Sequence, residues 1–305
     1  RPNRLMQGLL TGKTGTIACL VPFISSAYYD YVLQGIVEAA YQEAHHVIIL
    51  QTHHKLSHTC KALQSIIEQR VDGVLVASGN SEVLPTEILM ELWSHGVFPI
   101  SLDNTRTGLP IDKVLTDESA LTTVIAQYLV SLGHQRIAFA GPDGPTKPNR
   151  YSGIHESLRR IGLGEFFHHF PCDESAMDWD AYAKTIFQRI CTHPTAPTAL
   201  VAMNDFYAAR LIQLAPDYGV RIPQDLSILG CGNLSMGEFT SPPLTTVEQH
   251  PLDLGRTAVE LLFRRFDEGI PPADIHPETI LLPSTLVKRS SCGPPRQGPW
   301  CAQQR

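Results

Sequence analysis

No run of about eighteen apolar residues occurs anywhere in the 305-residue chain, so no membrane-spanning helix is expected. The N-terminus, RPNRLMQGLLTGKTG, lacks the apolar stretch and small-residue cleavage site of a secretory leader. It also lacks an initiator methionine, which points to a chain that begins inside a longer gene product. None of the seven cysteines pairs as C-x-x-C. With an odd count and no leader, they read as reduced thiols of a cytoplasmic protein, not as a disulfide frame or a zinc site. Positive charge is also short: 24 Lys and Arg face 30 Asp and Glu, for a net charge of −6. That excludes binding nucleic acid through the whole surface. Acid in turn is missing from the first 29 residues, which carry Arg1, Arg4 and Lys13. A basic arm on an acidic body suggests a local polyanion contact, or simply a solvated terminus. The hydrophobic share of 43% and charged share of 18% exclude disorder and fibrous repeats, and the length fits two domains.

Catalytic motifs are missing as well. There is no G-x-S-x-G elbow and no H-E-x-x-H. GLLTGKT (Gly8–Thr14) is too short for a phosphate loop and precedes the first strand instead of following one. Gly230-Cys231-Gly232 follows a strand, but no third glycine arrives at dinucleotide-binding spacing. His45, His46, His53, His54 and His58 gather in one stretch, and His54 and His58 could share a helical face. Without a third ligand they make no metal site. No catalytic residue, metal or cofactor is expected, and an enzyme such as a sugar kinase or nucleotide-dependent dehydrogenase is the weaker class.

What is present is an alternation of short apolar runs with helical periodicity. Strands are predicted at 15–22, 47–50, 72–76 and 98–102, with helices at 28–44, 59–69, 83–94 and 119–132 between or after them. A second series follows: strands at 136–140, 199–202 and 226–230, and helices at 151–161, 179–190 and 205–218. Continuously apolar strands separated by helices mean parallel strands covered on both faces, so the fold class is α/β, doubly wound, in two similar lobes. The helix at 251–267 and β-like segments at 278–282 and 285–287 could return to either lobe. Residues 290–305 (SSCGPPRQGPWCAQQR) show no pattern and read as a disordered tail.

RPNRLMQGLLTGKTGTIACLVP, RVDGVLV (70–76), SLDN (101–104), LGHQRIAFAGP (132–142), AMND (202–205), VRIPQDLSILGCGN (220–233) and SPPLTTVEQ (241–249) together resemble the lactose-repressor/galactose-repressor (LacI/GalR) family of transcription regulators. The resemblance runs from residue 1 to about 289. It implies a type I periplasmic-binding-protein-like body, two parallel-sheet lobes joined by three crossovers, with an effector in the interlobe cleft. The expected division is a hinge at 1–13, an N-terminal lobe of 14–133 plus 249–270, and a C-terminal lobe of 134–248 plus 271–289. The helix-turn-helix headpiece that family members carry before this point is not in the sequence. Asn3–Thr11 is similar to the family's hinge helix, which forms on operator DNA and wedges a leucine into the minor groove. Asn3, Arg4 and Leu9 are the matching DNA contacts, and a helix this short is marginal alone.

The resemblance also implies the effector residues. Tyr28 and Tyr29 fill the loop after the first strand, unless they only pack the helix start. Asp103 can accept hydroxyls or close a turn. Arg150 matches the family's anchoring arginine, whose fork suits vicinal hydroxyls or a carboxylate; the alternative is a surface ion pair. Trp179 falls where some sugar-responsive members place a stacking ring, or else packs in the core. Asn204 and Asp205 lie at a strand-to-helix turn, where Asp205 could instead cap the helix. Asn233 and Gln249 complete the set. One departure stands out: the family usually has an aspartate where this chain has Gly232, and Asn233 compensates for it only partly. The implied partners are operator DNA, a small effector that is a sugar or sugar acid, and a second copy of the chain in a homodimer through the helices at 31–44 and 59–69. A solute-binding protein of the same fold is the rival; it predicts a leader and no basic hinge.

Overall fold

The computed structural model describes residues 13–77, 84–103, 110–142, 150–172, 178–192 and 195–297. The hinge candidates Asn3, Arg4 and Leu9 lie outside these residues, as do Gly8–Gly12 of the phosphate-loop look-alike and Cys301. Along the chain the first elements are β1 (Thr16–Val21), α1 (Ala27–Gln42), β2 (His46–Gln51), α2 (Leu56–Glu68), β3 (Gly73–Val76), α3 (Thr86–Ser94), β4 (Phe98–Ser101) and β5 (Asp112–Thr116). Then come α4 (Glu118–Ser131), β6 (Ile137–Pro142), α5 (Arg150–Arg160), β7 (Phe167–Cys172), α6 (Trp179–Thr192), β8 (Ala199–Ala202), α7 (Asp205–Leu214), β9 (Ser227–Cys231) and β10 (Thr245–Glu248). The chain closes with α8 (Pro251–Glu268), β11 (Thr279–Leu282) and β12 (Thr285–Val287).

Two compact units result, 1–116 with 250–282 and 117–249 with 283–305, so the chain crosses between them three times. The first unit holds a six-stranded sheet in the order β11-β5-β4-β3-β1-β2, parallel throughout. The pleat sorts β1 residue by residue. Ile17, Cys19 and Val21 face a core made with α1 and α8, while Ala18 and Leu20 face one made with α2 and α3. Gly35 on α1 and Gly255 on α8 let those helices touch backbone to backbone. A Cβ on Gly35 would overlap the Leu252 carbonyl oxygen, and one on Gly255 the Val32 carbonyl oxygen.

The second unit repeats the plan in the order β12-β10-β9-β8-β6-β7, with only β12 antiparallel. Ala138 and Ala140 of β6 face α6 and α7; Ile137 and Phe139 face α4 and α5.

The structure corrects the expected boundaries. The first crossing falls after Thr116, not after 133, because Leu121, Ile125, Ala126 and Leu129 of α4 pack on the second sheet. Helical periodicity shows that a helix is half buried, not which sheet buries it. The last crossing falls after Leu282, because β11 pairs with β5 and β12 with β10. Residues 290–297 are not a loose tail. The Ser291 carbonyl accepts from the Ile228 amide, its hydroxyl accepts from the Thr245 amide, and the Gly293 amide donates to Ser227 Oγ. Beneath them, buried His134 places Nε2 at 2.9 Å from the Gly293 carbonyl and Nδ1 at 2.8 Å from the Thr198 hydroxyl. No helix among the described residues is long and apolar enough to cross a membrane.

Candidate functional site

In an open parallel sheet every strand ends in a loop on the same edge, and helix N-termini point their amides at it. That edge, above all where neighbouring loops leave to opposite faces, is the place such folds offer a ligand. In the first unit, loops on either side of the switch leave β1 and β3; in the second they leave β6 and β8.

Every candidate effector residue follows the C-terminal end of a parallel strand in its own unit. In the first unit, Tyr28 and Tyr29 open α1 after β1, with ring centroids 5.3 Å apart in an edge-on pair that also rests on the core. Asp103 lies just past β4, and its carbonyl accepts from the Ser101 hydroxyl. In the second unit Arg150 opens α5 after β6, Trp179 opens α6 after β7, and Asn204 caps α7 after β8. Asn233 follows β9, and Gln249, nearly buried, follows β10.

The chemistry at these positions differs from residue to residue. Arg150 is 8% exposed. Its Nε donates to Glu118 Oε2 at 3.3 Å and its Nη2 to Glu118 Oε1 at 3.1 Å, while Nη1 donates to the Met203 carbonyl. The arginine is therefore neither a surface ion pair nor a bare cation. Trp179 meets Tyr182, Phe206 and Tyr207 edge-on, and the Arg210 guanidinium lies 5.9 Å from its ring centroid. Asn204, not Asp205, caps α7, accepting from the Tyr207 amide through Oδ1 at 3.0 Å. Asp205 is fully buried: it accepts from the Leu234 amide at 2.7 Å and from the Thr246 hydroxyl. Burial raises its pKa, opposed by those hydrogen bonds and by the Arg150 and Arg289 cations. Asp205 thus ties α7 to the loop after β9 and to β10, and supports the edge instead of lining it. Asn233 accepts from Arg289 Nη2 at 2.9 Å and holds a left-handed backbone, φ 51°. Gly232 beside it has φ +135°, a conformation that L side chains rarely adopt, so the missing acid here goes with a glycine-only turn.

The histidine cluster yields no metal site. His54 precedes α2 with φ 55°, so it shares no helical face with His58, and among the described residues no group of three ligands forms. The described cysteines form no disulfide, and burial pushes the Cys19 and Cys231 thiols up to about 12.

Residues 126–292 match the periplasmic binding protein-like domain family. The transcriptional regulator DegA of Bacillus subtilis is 31% identical over 93% of this chain and 83% of its own length. The chain belongs to the LacI family of transcriptional regulators. The transcriptional repressor PurR recurs among its relatives; the one from Vibrio atlanticus is 26% identical over 92% of this chain and 84% of its own. A LacI-family regulator from Enterococcus faecium, solved with bound ribose, superposes with a TM-score of 0.78 at 26% identity, covering 92% of this chain and 99% of that one. As a LacI-family member the protein is the effector-responsive core of a transcriptional regulator, not an enzyme. The doubly wound α/β lobes read from the strand–helix alternation, and the periplasmic-binding-protein-like fold implied by the resemblance, are the fold observed.

Sequence reasoning missed Glu118 and Arg289. Glu118 stands in a helix-start stretch, TDES, where Asp117 caps α4 by accepting from the Ala120 amide. An acid in a first turn already has a local explanation, so nothing marked it as a partner for Arg150. Arg289 sits just before the segment read as a disordered tail, with no motif to mark it, yet it bonds Asn233, Glu238 and the Leu244 carbonyl.

Proposed function

We propose that this LacI-family core responds to a small polyhydroxylated effector, and that Tyr28, Tyr29 and Asp103 in the first unit and Arg150, Trp179, Asn204, Asn233 and Gln249 in the second hold it. The observation that carries this reading is the common position of these side chains past the C-terminal ends of parallel strands. Flat rings interspersed with a few directional polar groups suit the two kinds of face a sugar presents, C–H and O–H. Asp205 is part of the expected set; its complete burial and its bonds to the Leu234 amide and the Thr246 hydroxyl support a role in holding the others in place.

The effector biases the protein between arrangements that differ in affinity for operator DNA, which the hinge contacts through Asn3, Arg4 and Leu9. Coupling exists only if the effector prefers one of those arrangements. The chain works as a homodimer, which pairs two hinges on a two-fold operator. Val37 and Tyr41, exposed apolar residues on α1, support a partner surface there.

The test is a thermal-shift screen of the purified chain against pentoses, hexoses, their aldonic acids, purine bases and amino acids. A response confined to carbohydrates supports the reading. A response confined to purines or amino acids overturns it.

A further inference from the structure

We propose that Glu118 makes the Arg150 anchor select neutral effectors and reject anionic ones. The inference rests on the carbohydrate reading above and narrows it to uncharged sugars. An arginine in a ligand site is ordinarily read as a receptor for carboxylate or phosphate, because its Nε–Nη2 edge matches two oxygens at once. Here that edge is taken. Glu118 lies across it with both carboxylate oxygens, and Nη1 is turned to the Met203 carbonyl. The guanidinium is almost wholly buried, whereas the Glu118 side chain keeps 33% of its surface exposed. What faces outward from the pair is therefore its acidic member.

The wider charge balance agrees. Asp205 is close enough for the Arg150 cation to stabilise its carboxylate, and the Cys231 thiol feels Arg150, Asp205 and Glu118 together. The second cation of this region, Arg289, is matched by Glu238 and by the carbonyl groups of Asn233 and Leu244. Arg150 and Arg289 each already have a carboxylate partner, so neither offers an anion an unmatched charge; Arg210, over the Trp179 ring, donates to Gln213 instead. An acid ligand would have to displace Glu118, leaving two carboxylates competing for one guanidinium, or bind beside it against like charge. A neutral polyol meets neither obstacle. Its hydroxyls can donate to the outer lone pairs of Glu118, whose position the arginine fixes.

The experiment compares the wild-type chain with Glu118→Gln and Glu118→Ala by titration calorimetry. The probes are D-ribose against D-ribonate, D-glucose against D-gluconate, and sodium sulfate as a bare anion. Melting curves run alongside as a check on the fold. Wild type should give no response to ribonate, gluconate or sulfate at millimolar concentration. A variant lacking the carboxylate should gain an anion response at least about tenfold stronger than wild type. Adding Arg150→Ala to that variant should remove the gain. Wild-type binding of either aldonate as tight as its parent sugar overturns the proposal, whatever the variants do. So does a folded Glu118→Gln or Glu118→Ala protein with no gain. The neutral sugars report separately on the broader reading: if none binds wild type while the anion gain occurs, the carbohydrate assignment falls and the role of Glu118 stands.

Discussion

Gly35→Ala should destabilise the first unit, although alanine is the better helix former. On propensity alone the change stabilises a helix interior by about 1 kcal/mol. The structure opposes it. The new Cβ would overlap the Leu252 carbonyl oxygen and lie 3.0 Å from the Leu252 carbonyl carbon and 3.1 Å from the Arg256 amide nitrogen. All three are backbone atoms of α8, so no side chain can swing away. The helices must part, and parting loosens Val32 and Ile36 against Leu254, Ala258 and Val259, all buried to 1% exposure or less. Overpacking of this kind costs about 3 kcal/mol at the upper end of its usual range, which leaves a net loss of about 2 kcal/mol. For a unit of this size that lowers the midpoint of melting by roughly 4–8 °C. Adding Gly255→Ala should cost less than the sum of the two single changes, since helices already parted have room for the second methyl. Differential scanning calorimetry reads this directly. A Gly35→Ala midpoint equal to or above wild type would refute the backbone contact and the pairing of α1 with α8.

Three other outcomes follow from the same geometry. Asp112, 1% exposed, accepts from Arg265 Nε and Nη2 at 2.8 and 2.9 Å and from the Glu278 amide at 2.8 Å; Asp112→Ala leaves Arg265 with Glu268 and the more distant Glu278 and takes the acceptor from the Glu278 amide, so it should cost about 3 kcal/mol in urea unfolding, and a loss under about 1 kcal/mol would contradict it. Burial lowers the pKa of His134 from its ordinary 6.5, so the unfolded chain takes the proton first; the second unit should keep its stability above pH 6.5 and lose it as pH falls below that value, with His134→Gln flattening this acid limb in pH-dependent melts. The chain should run as a dimer by light scattering at micromolar concentration, and Tyr41→Glu, at an 81%-exposed apolar position on α1, should shift it toward monomer; an unchanged mass would place the interface elsewhere.

The strands that could be read from the sequence were those buried on both faces. IACLV, VLV and ALVA are apolar at every position because helices cover both sides of them. β5 (DKVLT), β7 (FHHFPC) and β10 (TTVE) escaped for different reasons. β7 lies at a sheet edge with four half-exposed residues and one exposed, which blurs its pattern. β10 is fully buried at Thr245 and Thr246, but their hydroxyls hide among polar partners: Thr246 donates to Asp205, and Thr245 accepts from the Arg289 amide. Polar side chains satisfied inside a core look like surface in a sequence. The same limit applied to the site. Residue identity and strand ends pointed to Arg150, but its tie to Glu118, on another helix, is a tertiary fact that no local spacing records.

The central claim is that effector recognition rests on Arg150 and Asp103 at the strand ends. Its most direct test is calorimetric titration of the wild-type chain, Arg150→Ala and Asp103→Ala with whichever carbohydrate gives the strongest thermal response. Truncating a buried, hydrogen-bonded charge typically costs roughly 2–5 kcal/mol of binding, so Arg150→Ala should weaken affinity by about thirtyfold or more. Asp103→Ala should weaken it as well, with both proteins still folded. Wild-type affinity in both variants would contradict the placement of the site, even though the chain remains a LacI-family core.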